Sequence, residues 1–519
     1  MESQHCGFGL CLAIGIAILS LVLWKAWYLL WITPRKIERR LREQGFKGNS
    51  YKLLRGDALE FIKLFKEAMA RPIGISDDTL PRVVPFLVRI LQEHGNNSFG
   101  WLGTTPWLIV MDTDKIKEML TRHEDFQKPN RPFTKLLMVG LFGYEGEKWA
   151  KHRKIINPAF HLEKLKNLLP LTHLSCQKMI ESWEQLLAND GSRELDVWPH
   201  LENLTCDIIS RGAFGSSYEE GQKIFHLQNE YRDLMEELMQ ANYIPGFRFL
   251  PTKANRRAKA ISKEVEALLM GIIEKRKLEL AAGGTNKADL LGVLLESNLR
   301  EIQEQGNGKG KGLTTEDVVQ ECKLFYLAGA ETTSSVLGWT LVLLSKHQDW
   351  QERARTEIMQ VFGKEQNPSF DGLNQLKVVG MILNEALRLY TPAYLLLRRV
   401  FRDTRLSDWL LPAGTELVIP LSILNQDCGV WGEDAKEFNP ERFSEGVSKA
   451  MKKQGLFIPF SFGPRVCIGQ NFALLETKMA LTMILQRFSL HLSPTYVHAP
   501  RASVTIKPQH GVNLILCEV

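Results

Sequence analysis

Cys467 lies in the run Phe460-Ser461-Phe462-Gly463-Pro464-Arg465-Val466-Cys467-Ile468-Gly469, whose residue types suit a thiolate ligand to haem iron. Such a sulfur needs a loop that turns backbone N–H groups toward it, hence flanking glycines, and a cation nearby to meet the haem propionates. Gly463, Gly469 and Arg465 stand at those positions, with Phe460 opening the loop. A buried, inert cysteine in a turn is the competing reading for a lone thiol; four matching positions around it weigh against that.

Three further groupings suit the same chemistry. In Ala328-Gly329-Ala330-Glu331-Thr332-Thr333 the small residues let a flat cofactor and a diatomic ligand approach a helix closely. Glu331 and Thr332 add an acid and a hydroxyl fit for a proton relay; helix packing through small residues with a solvated Glu is the bland alternative. Glu385-Ala386-Leu387-Arg388 sets a carboxylate and a guanidinium one above the other on a helix, where Arg442 of Pro440-Glu441-Arg442-Phe443 can complete an Arg, Glu, Arg cluster. Trp149 and Arg153 share a helix face and can both donate to carboxylates. Lys148, Lys151 and Lys154 make that segment basic, which suits docking of an acidic redox protein as well as it suits a solvated surface.

The elements that must position these groups follow from periodicity and caps. Gly306 to Gly312 is a glycine-rich loop, after which Thr314 with Asp317 signals the start of a long apolar-faced helix to about Ser345, roughly thirty residues or about 45 Å. Residues 98–113 read as strand, turn, strand, and Glu416–Ile419 and Val512–Leu516 as short strands. Helical periodicity dominates from 114 to 300, broken near Pro245-Gly246 and Pro251. With 44% hydrophobic and 24% charged residues in 519, the chain can build a large core. Eight cysteines without a C-x-x-C pair argue against a disulfide scaffold. A net charge of +6 without an aromatic-interleaved basic patch argues against nucleic acid as a partner.

Phe8 to Trp24 carries no charge, and the apolar run resumes to Ile32, long enough to span a bilayer and long for a cleaved signal. Arg35, Lys36, Arg39, Arg40 and Arg42 follow it, which by the positive-inside rule keeps the bulk of the chain cytosolic. We therefore expect a transmembrane anchor at 1–32, a basic amphipathic linker at 33–50 that either lies on the membrane surface or is solvated, and one large domain at 51–519.

The cysteine loop, Ala-Gly-x-Glu-Thr-Thr, Glu-x-x-Arg, Pro-Glu-Arg-Phe and Trp-x-x-x-Arg occur in the order of a cytochrome P450, which the chain resembles from the anchor to Val519. Arg42-Glu43-Gln44-Gly45-Phe46-Lys47-Gly48, Glu321-Cys322-Lys323-Leu324-Phe325-Tyr326, Tyr496-Val497-His498-Ala499-Pro500 and Cys467-Ile468-Gly469-Gln470-Asn471-Phe472-Ala473 resemble the plant clan of terpenoid oxidases that includes secologanin synthase. Tyr390-Thr391-Pro392 departs from the frequent Tyr-Pro-Pro.

The resemblance implies a mostly α fold with small β-sheets, a helical prism whose long central helix lies over haem, behind an N-terminal transmembrane helix. It implies Cys467 as the proximal ligand to haem b, with Trp149, Arg153, Arg399 and Arg465 meeting the propionates, Arg399 because it lies seven after Pro392. Phe460, Gly469, Ala328 and Gly329 would border the haem, and Glu331 and Thr332 would deliver protons to dioxygen. Leu136 to Phe142, Leu327, Ala328, Tyr394, Leu395, Leu396, Val504 and Thr505 would line a pocket for a hydrophobic substrate. The implied activity is a monooxygenase of the endoplasmic reticulum membrane oxidising a terpenoid, a triterpenoid before an iridoid or gibberellin. Electrons would come from NADPH, not bound directly, through NADPH-cytochrome P450 reductase, with cytochrome b5 a second candidate donor. A haem-thiolate isomerase or lyase, and a non-catalytic haem sensor or electron carrier, are the alternatives; the acid-alcohol pair and the small-residue helix weigh against both.

Overall fold

Thr314 and Asp317 close a capping box, each side chain accepting the other's backbone N–H at 3.1 Å, and the longest helix of the domain, α6 (Thr315–Lys346), starts there. Satisfying these end groups fixes where the helix begins. The computed structural model describes residues 2–129, 139–187, 191–215, 218–241, 250–282, 289–304, 312–364, 367–453 and 455–519. The expected pocket positions Leu136 to Met138, the break at Pro245-Gly246 and most of the Gly306–Gly312 loop lie outside the described residues.

Around α6 the chain is mostly helical with small sheets. The helices that matter for the site are α1 (Glu2–Trp27), α2 (Thr33–Glu43), α3 (Gly146–Ile156), α4 (Trp198–Phe214), α5 (Tyr218–Ala241), α7 (Lys377–Leu389) and α8 (Gln470–Arg487). A six-stranded sheet takes β1 (Lys47–Gly48), β2 (Ser98–Leu102), β3 (Thr105–Ile109), β4 (Phe126–Gln127), β5 (Leu396–Val400) and β6 (Glu416–Ile419) in the order β1-β2-β3-β6-β5-β4. The expected strand pair at 98–113 is β2 and β3, an antiparallel hairpin with Phe99 opposite Leu108. Trp107 pairs with Glu416, and Glu416 with Arg399, so three residues line up across the sheet. A separate three-stranded sheet joins Ser192–Asp196, Asn513–Glu518 and Phe488–Leu492.

Among the described residues two helices are long and apolar enough to cross a membrane, and burial separates them. The α6 window is 78% buried, as befits the core of a folded domain, whereas the most apolar stretch of the segment that begins at Leu12 has a mean hydropathy of 1.9 and none of that stretch is buried. A π turn at Tyr28–Ile32 joins α1 to α2 without a break. The segment expected as a linker is folded onto the sheet: Ile37 and Leu41 are buried in a second core with Phe99, Leu108, Leu417 and Ile419. Buried Glu38 accepts from Arg42 and from the Tyr51 backbone. Its apolar stripe is thus used inside the protein and is not left for lipid.

Candidate active site

The cysteine loop is held by its own backbone. Cys467 N–H donates to the Phe460 carbonyl at 2.8 Å, closing the run around a turn at Gly463–Arg465. Gly463 has φ of +72°, and a Cβ there would stand 3.0 Å from the Leu120 carbonyl oxygen, so this glycine is required by both conformation and space. Gly469 is different: its φ is −87° and the nearest atom to a Cβ is Phe160 Cε1 at 3.9 Å. What Gly469 supplies is its N–H, which with that of Gln470 faces the Cys467 sulfur.

The Cys467 side chain is exposed, yet protein surrounds it closely enough that desolvation raises its thiol above the ordinary range. The Gly469 and Gln470 N–H groups and the cations of Arg153 and Lys128 pull the other way. An exposed sulfur ringed by donors and cations is the setting a metal-bound thiolate needs.

α3 serves this loop from one face. Arg153 Nη1 donates to the Val466 carbonyl at 2.9 Å, and the Arg465 guanidinium lies 4.2 Å over the Trp149 ring, with His123 edge-on to the same ring at 4.8 Å. Arg465 also donates to the Tyr144 carbonyl at 2.8 Å and pairs with Glu145. Trp149 therefore meets a guanidinium with its ring face. Of the basic side chains of this helix, Lys148 is paired with Asp317 and Lys154 with Glu301, which reduces the charge they offer outward.

Two cations that no motif announces join this group. Lys128 donates to the Phe142 carbonyl at 2.9 Å and burial holds its ammonium well below its usual range, with Arg398 and Arg465 adding to the effect. Arg398 is buried, donates to the Leu397 carbonyl at 2.8 Å, and burial lowers it to about 10. Among the described residues Glu145, on Arg465, is the one carboxylate in ion-pair contact with Lys128, Arg153, Arg398 or Arg465. Four cations facing one carboxylate leave positive charge unanswered in a desolvated place, which fits a cofactor bearing two carboxylates.

Arg399 does not belong to this cluster. It points from the other face of β5, 3.6 Å from Glu416, whose second oxygen accepts from Trp107 Nε1 at 2.9 Å. Arg399 was expected to meet the cofactor; its side chain is paired with Glu416, and its neighbour Arg398 is the one that joins Lys128, Arg465 and Glu145, because side chains alternate along a strand.

From Val318 to Ser345 every residue of α6 is buried except Ala328, Gly329, Thr332 and Val336. At helical spacing Ala328, Thr332 and Val336 form one stripe, so the most enclosed helix of the domain opens on one side, where Ala328 is exposed. Thr332 Oγ1 lies on this stripe and donates to the Ala328 carbonyl at 2.6 Å. Gly329 serves packing as well: a Cβ would fall 2.7 Å from Ile209 Cδ1 of α4, and Thr205 of α4 donates to the Ala330 carbonyl at 3.0 Å.

Glu331 points elsewhere. Buried, it takes Thr505 Oγ1 at 3.2 Å and Lys507 Nζ at 3.5 Å on one oxygen and Arg232 of α5 at 3.4 Å on the other. Burial lowers the Lys507 ammonium, and Glu331 opposes that shift. Thr505 was expected on the substrate pocket; it is buried as a partner of this acid instead. Val504 beside it is half-buried, and Tyr394 donates to the Ser503 carbonyl at 3.0 Å, so Tyr394, Leu395 and Leu396, all half-buried, start from the same neighbourhood. Leu327 is buried in the main core, one position off the open stripe.

Glu385, Arg388 and Arg442 are brought together in the interior. Arg388 binds both Glu385 oxygens at 2.7 Å, and Arg442 Nε reaches Oε1 at 3.1 Å. The side chains are 0%, 0% and 5% exposed. Arg388 also donates to the carbonyls of Asn425, Ala435 and Glu437, so α7 holds the long segment before the cysteine loop.

A family model described as Cytochrome P450 matches residues 83–511. The chain belongs to the cytochrome P450 family. It is 54% identical to Cytochrome P450 CYP72A219 of Panax ginseng over 97% of each chain. It is 49% identical to Secologanin synthase 2 of Catharanthus roseus, covering 97% of this chain and 96% of that one. A solved structure titled retinoic acid bound cyanobacterial CYP120A1 superposes with a TM-score of 0.73 at 21% identity, covering 91% of this chain and 99% of the other, which shows the P450 fold. As a P450 the protein is a monooxygenase that uses haem, and the family works with a redox partner and hydrophobic substrates.

Proposed function

We propose that this P450 hydroxylates or further oxidises a terpenoid, a pentacyclic triterpenoid before an iridoid or a gibberellin. The observation that carries it is the open stripe of Ala328, Thr332 and Val336 on an otherwise buried helix: small and apolar, it leaves room for a bulky hydrophobic substrate. The likeness to Secologanin synthase 2 supports the same class of chemistry.

On this reading Cys467 would supply the thiolate that binds haem iron, and Arg153, Arg398, Arg465 and Lys128 would hold the carboxylates of haem b. Bound haem supplies the activation of dioxygen that hydroxylation requires. Thr332 Oγ1, on the open stripe, would hold a proton for the reacting centre. Glu331, neutralised by Arg232 and Lys507, must leave at least one of them to pass a proton on, so its cations set when the relay is connected. Tyr394, Leu395, Leu396 and Val504 exclude water and orient the substrate.

Electrons come from NADPH through NADPH-cytochrome P450 reductase, with cytochrome b5 as a second donor. α1 anchors the protein in the endoplasmic reticulum membrane in a single pass, the domain on the cytosolic side. The test is turnover in microsomes with reductase and NADPH against triterpenoids, iridoids and gibberellins, products read by mass spectrometry. A hydroxylated triterpenoid supports the reading; turnover of an iridoid or gibberellin alone reassigns the substrate, and product without NADPH use overturns it.

A further inference from the structure

One buried pair is left without a task by the chemistry above. His152 and Glu321 are 1% and 0% exposed, and imidazole Nδ1 stands 2.6 Å from Glu321 Oε1. A carboxylate only accepts, so Nδ1 carries the proton of this bond. Nε2 faces Asp317 at 3.6 Å, itself paired with Lys148, and Tyr144 lies edge-on to the ring at 4.6 Å.

Helix geometry explains why these residues meet. On α3, Lys148 and His152 are four apart and face α6, while Trp149 and Arg153, also four apart and one position on, face the cysteine loop. On α6, Glu321 precedes Ala328 by seven residues, two turns or about 10 Å, and so shares its side of the helix. One short helix is thereby bonded on one side to the helix bearing the open stripe and on the other to the loop bearing Cys467.

The second oxygen of Glu321 accepts the Leu141 N–H at 2.9 Å. A Cβ on Gly140, whose φ is +55°, would fall 2.7 Å from that oxygen; the chain reaches this carboxylate only through a glycine. Arg465 of the cysteine loop donates to the Tyr144 carbonyl in the same segment. Glu321 therefore ties together α3, the turn at Gly140–Gly143 and α6.

We propose that His152 and Glu321 are positioning residues for the cofactor: a strut that sets the distance between the open stripe of α6 and the cysteine loop and the height at which Trp149 and Arg153 are presented. This rests on the haem-site reading above. Neither residue touches the cofactor; they act through α3 and through Gly140–Gly143.

The experiment measures haem loss from the full-length holoprotein to an excess of apomyoglobin, together with the carbon monoxide difference spectrum of the reduced protein. Removing an outer partner of a metal site typically weakens retention by about 10- to 100-fold, so His152→Leu is expected to lose haem at least about tenfold faster, with the thiolate band in place. His152→Asn, whose amide nitrogen stands where Nδ1 stood, should restore most of the retention. Glu321→Met, which offers no carboxylate to His152 or to the Leu141 N–H, should resemble His152→Leu, and the double variant should lose little more than either alone, as one coupled unit does. Parent-like retention in His152→Leu, or equal loss in the Asn and Leu variants, overturns the strut. Should His152→Leu fail to accumulate, Glu321→Met decides: faster loss supports the strut and parent-like loss overturns it. Cys467→Ser separates the two readings: if it keeps the parent's band, the haem site is misread, whereas if it loses the band and the His152 series stays level, only the strut falls.

Discussion

Arg398 and Arg399 are chain neighbours whose guanidinium groups serve opposite faces of one strand. Arg398 is buried among Lys128, Arg465 and Glu145, with burial holding it at about 10, and Arg399 reaches Glu416 at 3.6 Å, one-third exposed. A charge in a desolvated site demands a counter-charge, and Arg398 has no carboxylate in ion-pair contact among the described residues.

Arg398→Ala should therefore weaken haem retention by about tenfold or more, the range for a lost supporting partner, while Arg399→Ala changes it little. Haem per chain after gel filtration of both variants checks this, and equal losses would refute the assignment.

Cys467→Ser should abolish the red-shifted Soret band of the reduced carbon monoxide complex, because a serine oxygen does not replace the thiolate. Difference spectroscopy of the purified variant reads it directly.

The Glu385, Arg388, Arg442 cluster is enclosed and its one carboxylate serves both guanidinium groups, so removing Glu385 strands buried positive charge at a cost of about 3–5 kcal/mol. Glu385→Leu, which takes the carboxylate from the buried Arg388 guanidinium, should lower the urea midpoint of the holoprotein accordingly. A shift no larger than that of the exposed-pair variant Arg353→Ala would show that the cluster stabilises nothing.

Thr332→Ala removes the hydroxyl on the open stripe. NADPH consumption should persist while product falls and peroxide rises, and a parent-like ratio of product to NADPH would count against the proton role.

His498 is buried between Tyr390 and Tyr496, bonded at 3.2 and 2.9 Å. Burial, with Lys346 and Arg82 adding to it, lowers its imidazole to about 4. The unfolded chain then binds the extra proton first, so this contribution is complete above the ordinary value of 6.5 and is lost as pH falls through 4, up to about 3 kcal/mol. His498→Gln should flatten the stability curve between those limits, measured by urea titration at several pH values.

Much of the fold could be read locally. The capping box that starts α6, the strand pair at 98–113 and the Glu385–Arg388 spacing depend on residues within one or two turns of each other, where helical and strand periods act directly. Whether α2 leaves its apolar face to lipid or to a sheet depends on partners that lie up to several hundred positions away, and its own amphipathic pattern is the same in both cases.

Sequence alone determined which residue types stand ready for haem-thiolate chemistry and in what order, since the cysteine loop and the small-residue helix are contiguous motifs. Tertiary structure decided which side chains face the same space. It chose Arg398 over its neighbour because a strand's side chains alternate and counting from Pro392 cannot fix that parity. It added Lys128, gave Thr505 to Glu331 and joined His152 to Glu321, because burial and charge pairing between distant segments arise only once the helices are packed.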